Sequence, residues 1–274
     1  MILRDRIGFD AGEHRLEDAI GWAAEQKIHF VDFNADRGPN HIKTWTPDRV
    51  AGIRRICNDN AIRLGVHTLS SVNVAEFSPY VDRGVDEYLK ANLDLAASLE
   101  CGWAIVHAGY HFGTALDDRI EAAIRRLERL ATGIGDAGVR LLLENLNLEP
   151  ERSEVHYLAH NVLELGHFFD AIPAERLGWA FTVNHANLVP EGISGFLNAF
   201  GIERIGEVRL ADNTGEYEIH LPLGSGHIDF RCLIQRLEQA GYCQHYSMAF
   251  GSPAEKLIAR DLLVSFDSYN RFQS

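Results

Sequence analysis

The sequence predicts a single (β/α)8 TIM barrel, one domain spanning residues 1–274, on three observations. Short apolar runs alternate with amphipathic helical stretches eight times along the chain. Side chains that bind metals recur near the ends of successive runs: His67, His107, Glu144 and His185, with Glu218 and His220 after the run that ends near Leu210. Such residues meet only if the strands lie parallel around a common mouth. No GxGxxG follows the first run, which argues against a doubly wound open sheet.

The elements follow in order. Arg6–Ala11 is a short first strand, and Leu16–Gln26 a helix with Ile20 and Ala23-Ala24 on its apolar face. Ile28–Phe33 is the second strand. Pro47–Asn60 is a helix, because Thr46 suits an N-cap and Pro47 the first turn. Arg63–Thr68 is the third strand, Val81–Leu99 a long amphipathic helix, and Trp103–Ala108 the fourth strand. Asp117–Asp136 is helical with an Arg- and Glu-rich outer side, and Gly138 turns the chain into a fifth strand, Val139–Asn145. Asn161–Ala171 is helical and Gly178–Asn184 the sixth strand. A short helix, Ile193–Phe200, precedes the seventh strand, Glu207–Leu210. A long loop, Asn213–His227, leads to the helix Asp229–Ala240, which Gly241 ends. Tyr246–Phe250 is the eighth strand and Pro253–Tyr269 the closing helix. No linker, low-complexity segment or local repeat divides the chain.

Composition narrows the function. The 274 residues are 46% hydrophobic and 24% charged, with a net charge of −13. Phosphates and acidic lipids are not attracted to such a surface, so neither nucleic acid nor a membrane is an expected partner. No run reaches the roughly 20 apolar residues that cross a bilayer, and the N-terminus lacks the apolar stretch of a signal peptide. Cys57, Cys101, Cys232 and Cys243 are scattered without a CxxC, the pattern of reduced, mostly buried thiols in a cytoplasmic protein.

His67, His107 and Glu144 offer two imidazoles and a carboxylate, a set suited to Zn²⁺, Mn²⁺ or Fe²⁺. His185, Glu218 and His220 form a second set, in which the ExH spacing puts Glu218 and His220 on one face of an extended segment. Asn145, Asn147, Asn184, Asn187, Asp212 and Asn213 suit recognition of substrate hydroxyls, and Tyr110 and His111 follow His107 in the same loop. Trp22, Trp45 and Trp103 read as packing residues. No nucleotide cofactor is expected.

Five stretches carry a resemblance. They are Gly65-Val66-His67, Val106-His107-Ala108-Gly109, Leu142-Leu143-Glu144-Asn145, Val183-Asn184-His185-Ala186, and Asp212-Asn213-Thr214-Gly215 through His220-Leu221-Pro222-Leu223-Gly224-Ser225-Gly226. In this order they resemble the xylose-isomerase-like TIM-barrel superfamily, which includes endonuclease IV and many sugar isomerases and epimerases. The resemblance implies a central metal held by Glu144 and three further ligands. Where the family carries Asp, His and Glu, this chain has Thr182, Arg209 and Ala249. The other two clusters persist, His67/His107/Glu144 and His185/Glu218/His220, the latter with Glu in place of Asp.

These departures shape the expected chemistry. The Glu missing at Ala249 is one of the two that flank the substrate carbon in the family's epimerases. Glu144 with His185 or His220 could still form an acid–base pair. Arg209 puts a fixed positive charge where a cation sat, either to pair with Glu144 or to hold an anionic substrate group. The expected function is isomerisation, epimerisation or a related dehydration of a sugar or polyol-like metabolite, with a divalent metal and a non-standard site. Two alternatives are an endonuclease IV-like metal-dependent phosphodiesterase and a non-catalytic ligand-binding barrel. The expected partner is a small hydroxylated metabolite, and homo-oligomerisation is left open.

Overall fold

The computed structural model describes residues 1–134 and 138–268. Eight parallel strands close into a barrel in sequence order: β1 (Ile7–Asp10), β2 (Phe30–Phe33), β3 (Arg63–His67), β4 (Trp103–Val106), β5 (Arg140–Glu144), β6 (Gly178–Thr182), β7 (Ile205–Leu210) and β8 (His245–Met248). Pairing of β8 with β1, Tyr246 opposite Ile7 and Met248 opposite Phe9, closes the ring. Helices α1 (Leu16–Gln26), α2 (Pro47–Asp59), α3 (Asp82–Ser98), α4 (Leu116–Ile134), α5 (Val162–Ala171), α6 (Gly192–Phe200), α7 (Phe230–Gln239) and α8 (Pro253–Ser268) connect or follow the strands. Thr46 caps α2, its hydroxyl accepting from the Arg49 amide. The predicted helix ends at Asp136 and Tyr269 lie outside the described residues.

Strand residues facing outward join the helices in the main core, where Phe33, Phe168 and Phe181 are fully buried. Each contributes about 1.5–3 kcal/mol by leaving water. A second apolar cluster, Phe30, Trp103, Ile105, Leu142 and Ala180, is made of strand residues. Gly65 makes room for it: a Cβ there would lie 2.1 Å from the Trp103 indole. The indole instead donates to Asp32 Oδ1 at 2.7 Å, so a missing methyl helps to set a carboxylate inside the barrel.

The first six observed strands are shorter than the apolar runs, because pairing stops where the chain leaves the ladder for the loops; the seventh begins two residues earlier than expected, at Ile205, and the eighth one residue earlier, at His245. The largest correction is in the sixth unit. Val183 and Asn184, expected in the strand, belong with His185 and Ala186 to a one-turn helix (Val183–Ala186) directly after β6. Two two-residue strands had no counterpart in the expected elements. Tyr110 pairs with Tyr157 and His111 with His156, antiparallel, tying the loops after β4 and β5 together. The cysteines also differ from expectation: Cys57 and Cys101 are buried, but Cys232 and Cys243 are exposed, on α7 and in the turn after it. No helix among the described residues is long and apolar enough to cross a membrane.

Candidate active site

Both predicted clusters form, and both open on one cavity of about 490 Å³ at the carboxyl ends of the strands. In the first, His67 ends β3, His107 stands one residue past β4, and Glu144 ends β5. Glu144 Oε2 lies 3.1 Å from His67 Nε2 and 2.9 Å from His107 Nε2, and the two imidazole nitrogens are 3.3 Å apart. Ligand atoms around a tetrahedral ion with bonds near 2.05 Å are separated by about 3.3 Å, so these three atoms fit a divalent cation. A further contact supports the fit. His67 Nδ1 faces Asp10 Oδ2 at 3.1 Å, the carboxylate–histidine arrangement that turns the other ring nitrogen toward a metal.

In the second cluster, His185 Nδ1 lies 2.8 Å from the Asn145 carbonyl, which fixes the proton on Nδ1 and leaves Nε2 as the free ligand atom. Glu218 Oε1 stands 3.3 Å from that Nε2 and 2.8 Å from His220 Nε2. Glu218 Oε2 and Asn184 Oδ1 are buried without a hydrogen-bond partner. Unpaired buried oxygens beside two imidazoles are compatible with a bound cation. The loop that supplies Glu218 and His220 is shaped by Asp212, whose carboxylate accepts from the amides of Asn213, Gly224, Gly226 and Ile228.

Three positions separate this cavity from the four-ligand central site. Thr182 and Arg209 are paired in register across β6 and β7, and Ala249 follows β8; all three line the cavity. The Thr182 hydroxyl donates to Glu144 Oε1. Arg209 is 2% exposed. Its Nη2 donates to Asp10 Oδ2 at 2.6 Å and its Nη1 to Glu207 Oε1 at 2.6 Å and Asp32 Oδ2 at 3.2 Å, while Nε lies 3.7 Å from Glu144 Oε1. The expected pairing with Glu144 is only this 3.7 Å contact; Asp10, Asp32 and Glu207, which were not anticipated, take the Nη hydrogen bonds.

Electrostatics follows from these contacts. Burial raises the Glu144 carboxyl, but hydrogen bonds from His107 and His67 and the charges of His67 and Arg209 hold it well below the ordinary range. Burial also raises Glu218, and His185 and His220 bring it down to about 2. Both are therefore anions at neutral pH, ready to face a cation. Asp32 behaves oppositely: burial, then the nearby Glu207 charge, pushes its carboxyl up.

Asp32, Glu207 and His245 also bring ligand atoms together. They lie deeper in the barrel, and Arg209, Trp103 and Ser247 already occupy the Asp32 and Glu207 oxygens. This group is a buried polar lattice. Asp32 and Glu207 meet at the Arg209 guanidinium, whose Nη1 donates to both. A carboxyl whose folded-state pKa is raised contributes stability at low pH and loses it as pH rises through the folded value. Asp32→Asn puts a neutral side chain of the same shape at this position and removes its titration. Its melting temperature should therefore fall less than the parent's between about pH 4 and about pH 8; parallel curves would show Asp32 already ionised.

The remaining expected residues divide. Asn147 lines the cavity. Asn184 is fully buried and donates to Glu218 at 3.0 Å, so it positions a ligand. Asn145 and Asp212 are also fully buried, Asn145 accepting from Trp179 Nε1 and the Thr182 amide. Both hold the backbone around the site. His111 lines a separate neighbouring cavity of about 600 Å³ with His156 and His160. Asp10 and Lys256 were not anticipated, yet both line the main cavity. Asp10 ends β1 and follows the same strand-end rule that singled out His67. Lys256 lies in the first turn of α8, where a lysine carries no distinguishing sequence signal.

The model of the xylose isomerase-like TIM barrel family matches residues 20–265. A probable endonuclease 4 from Staphylococcus epidermidis is 26% identical over 223 residues, 76% of this chain and 68% of that protein. Among solved structures, a D-tagatose 3-epimerase-like protein superposes with a TM-score of 0.83 at 20% identity, covering 98% of this chain and 100% of that one. D-Psicose 3-epimerase from Clostridium cellulolyticum H10 gives 0.74 at 14% identity, covering 97% and 98%. These identities are low, but the family model runs through all but the first strand of the barrel and takes in His67, His107, Glu144, His185, Glu218 and His220, and on that match the chain belongs to the xylose isomerase-like TIM barrel family.

Proposed function

We propose that this protein is a metal-dependent isomerase or epimerase of a small hydroxylated carbonyl compound. The observation that carries the reading is the facing pair of clusters, His67/His107/Glu144 and His185/Glu218/His220, on one cavity. At about 490 Å³ the cavity falls in the range of small-molecule sites. A divalent ion held by His67, His107 and Glu144 would act as a Lewis acid on a substrate carbonyl or alkoxide oxygen. The chain's own residues supply the rest. Glu144, kept ionised and taken up by four neighbours, is a ligand and orienting group. When no ion occupies their cluster, His185 and His220, joined through Glu218, are the groups placed to take a proton from the substrate carbon and return it; with an ion there they are ligands. The second cluster also fits a cation, so the protein has capacity for one or two ions. The solved epimerases of the same fold support the substrate class, and the non-catalytic reading is opposed by the oriented histidines.

The test combines metal content and turnover. Untagged protein should carry one or two divalent ions per chain by elemental analysis and interconvert members of a panel of ketoses, sugar phosphates and sugar acids. Duplex DNA with an abasic site should be neither bound nor cut at physiological salt, since a surface of net charge −13 repels a polyanion. Metal-dependent incision, lost in Glu144→Gln, would replace this reading with the endonuclease one. Three tightly bound ions per chain would show that Thr182, Arg209 and Ala249 have not removed the central site.

A further inference from the structure

Lys256 is 7% exposed, yet it lines the cavity. Its ammonium donates to the Asp10 carbonyl at 2.8 Å and lies 5.0 Å from the Phe9 ring centroid. Neither is an anion. The carboxylate whose charge acts on it, Asp10, is already committed: Oδ2 takes Arg209 at 2.6 Å and faces His67, and Oδ1 takes the Gly12 amide at 2.7 Å. Among the described residues Lys256 has no ion-pair partner within 4.0 Å. Burying an ammonium against a neutral carbonyl is costly, and buried charges are ordinarily paired. Arg209 and Arg126, also buried cations, each have carboxylate partners. An ammonium has three donors, so two remain beyond the one given to Asp10. Burial lowers the ammonium's pKa, and the Asp10 charge acts against that; a bound anion would act in the same sense as Asp10.

Building on the isomerase reading, we propose that Lys256 is an oxyanion subsite and that the substrate carries a carboxylate or a phosphate monoester besides its hydroxyls. Asp10 joins this subsite to the metal seat. Its carbonyl holds Lys256 and its carboxylate holds His67, and both side chains line the same cavity. Glu13 also lines the cavity, but its carboxylate is exposed and turned toward Arg37 at 3.5 Å. The closing helix therefore sets specificity, selecting charged over neutral sugars.

Binding to manganese-loaded protein tests this with D-fructose, D-fructose 6-phosphate, D-gluconate and inorganic phosphate as probes. At least one charged sugar should bind about tenfold or more tightly than fructose. Preference for the phosphate ester or for gluconate identifies which oxyanion the subsite takes. The matching inorganic probe gives a second reading in unaltered protein: if the phosphate ester is preferred, inorganic phosphate should compete with it and not with fructose. Lys256→Met keeps the aliphatic stem and should erase the preference, read as the ratio of charged-sugar to fructose affinity at equal manganese content, and Lys256→Arg should retain it. Equal binding of neutral and charged sugars, or a preference that survives in Lys256→Met, would overturn the proposal. The outcome is separable from the proposed reaction: failure to isomerise any sugar would sink the reaction, whereas the Lys256-dependent preference is read from binding alone.

Discussion

Arg209→Ala should destabilise the protein by about 3–5 kcal/mol, the usual cost of removing one partner from a buried ion pair. The reason lies in the count of charges around it. Arg209 contacts Asp10, Asp32 and Glu207 within 3.2 Å and Glu144 at 3.7 Å, all inside the barrel. Removing the guanidinium leaves these carboxyls facing one another in a low-dielectric interior. For a chain of this length the loss corresponds to roughly 10 °C in melting temperature. Arg209→Lys should recover only part of it, because one ammonium cannot reproduce the planar fork that reaches three carboxylates. A metal-free thermal melt measures the effect without involving substrate. If Arg209→Ala melts with the parent but binds ligand much more weakly, the guanidinium acts on substrate and its carboxylate contacts are incidental.

Arg209 also shows where the sequence is informative and where it stops. Its position late in the seventh strand is legible from the apolar run, and so is the absence of an imidazole there. Its partners are not, because Asp10, Asp32 and Glu207 come from three strands spread over nearly the whole chain, and only closure of the barrel brings them together. The same distinction holds for the clusters. His67, His107 and Glu144 follow apolar runs in consecutive units, so adjacency in the barrel follows from order along the chain. Glu218 and His220 lie in a long loop without periodicity, and what places them is the Asp212 carboxylate collecting amides from residues up to sixteen positions away. Asn145 and Asp212 were expected at substrate because they are polar and near strand ends. In the fold their polar atoms serve backbone groups and, for Asn145, the Trp179 indole as well, which composition cannot distinguish from ligand binding. Lys256 is the converse case, a common residue on a helix that only burial makes unusual.

Glu144→Gln should remove both the metal response and the activity while leaving the barrel folded. Glu144 Oε2 is the point on which His67 and His107 converge, and Oε1 is fixed by the Thr182 hydroxyl. An amide in its place removes the negative charge and can present an N–H to two imidazoles that need an acceptor or a cation between them. In the parent protein a divalent ion at about 100 times its dissociation constant should add about 2.7 kcal/mol of stability, visible as a higher melting temperature. That increment should vanish in Glu144→Gln, or persist only in part if the His185/Glu218/His220 cluster also holds an ion. Turnover of the substrate found in the sugar panel should drop by about 10²–10³-fold or more, the scale on which enzymes lose rate when charge stabilisation at the reacting oxygen is removed. Metal-free melts of the two proteins should stay within about 2 kcal/mol of each other, since Asp10 and Glu207 continue to hold Arg209. A Glu144→Gln protein that keeps both the metal-induced rise and full turnover would remove His67/His107/Glu144 from the chemistry and leave the second cluster as the working centre.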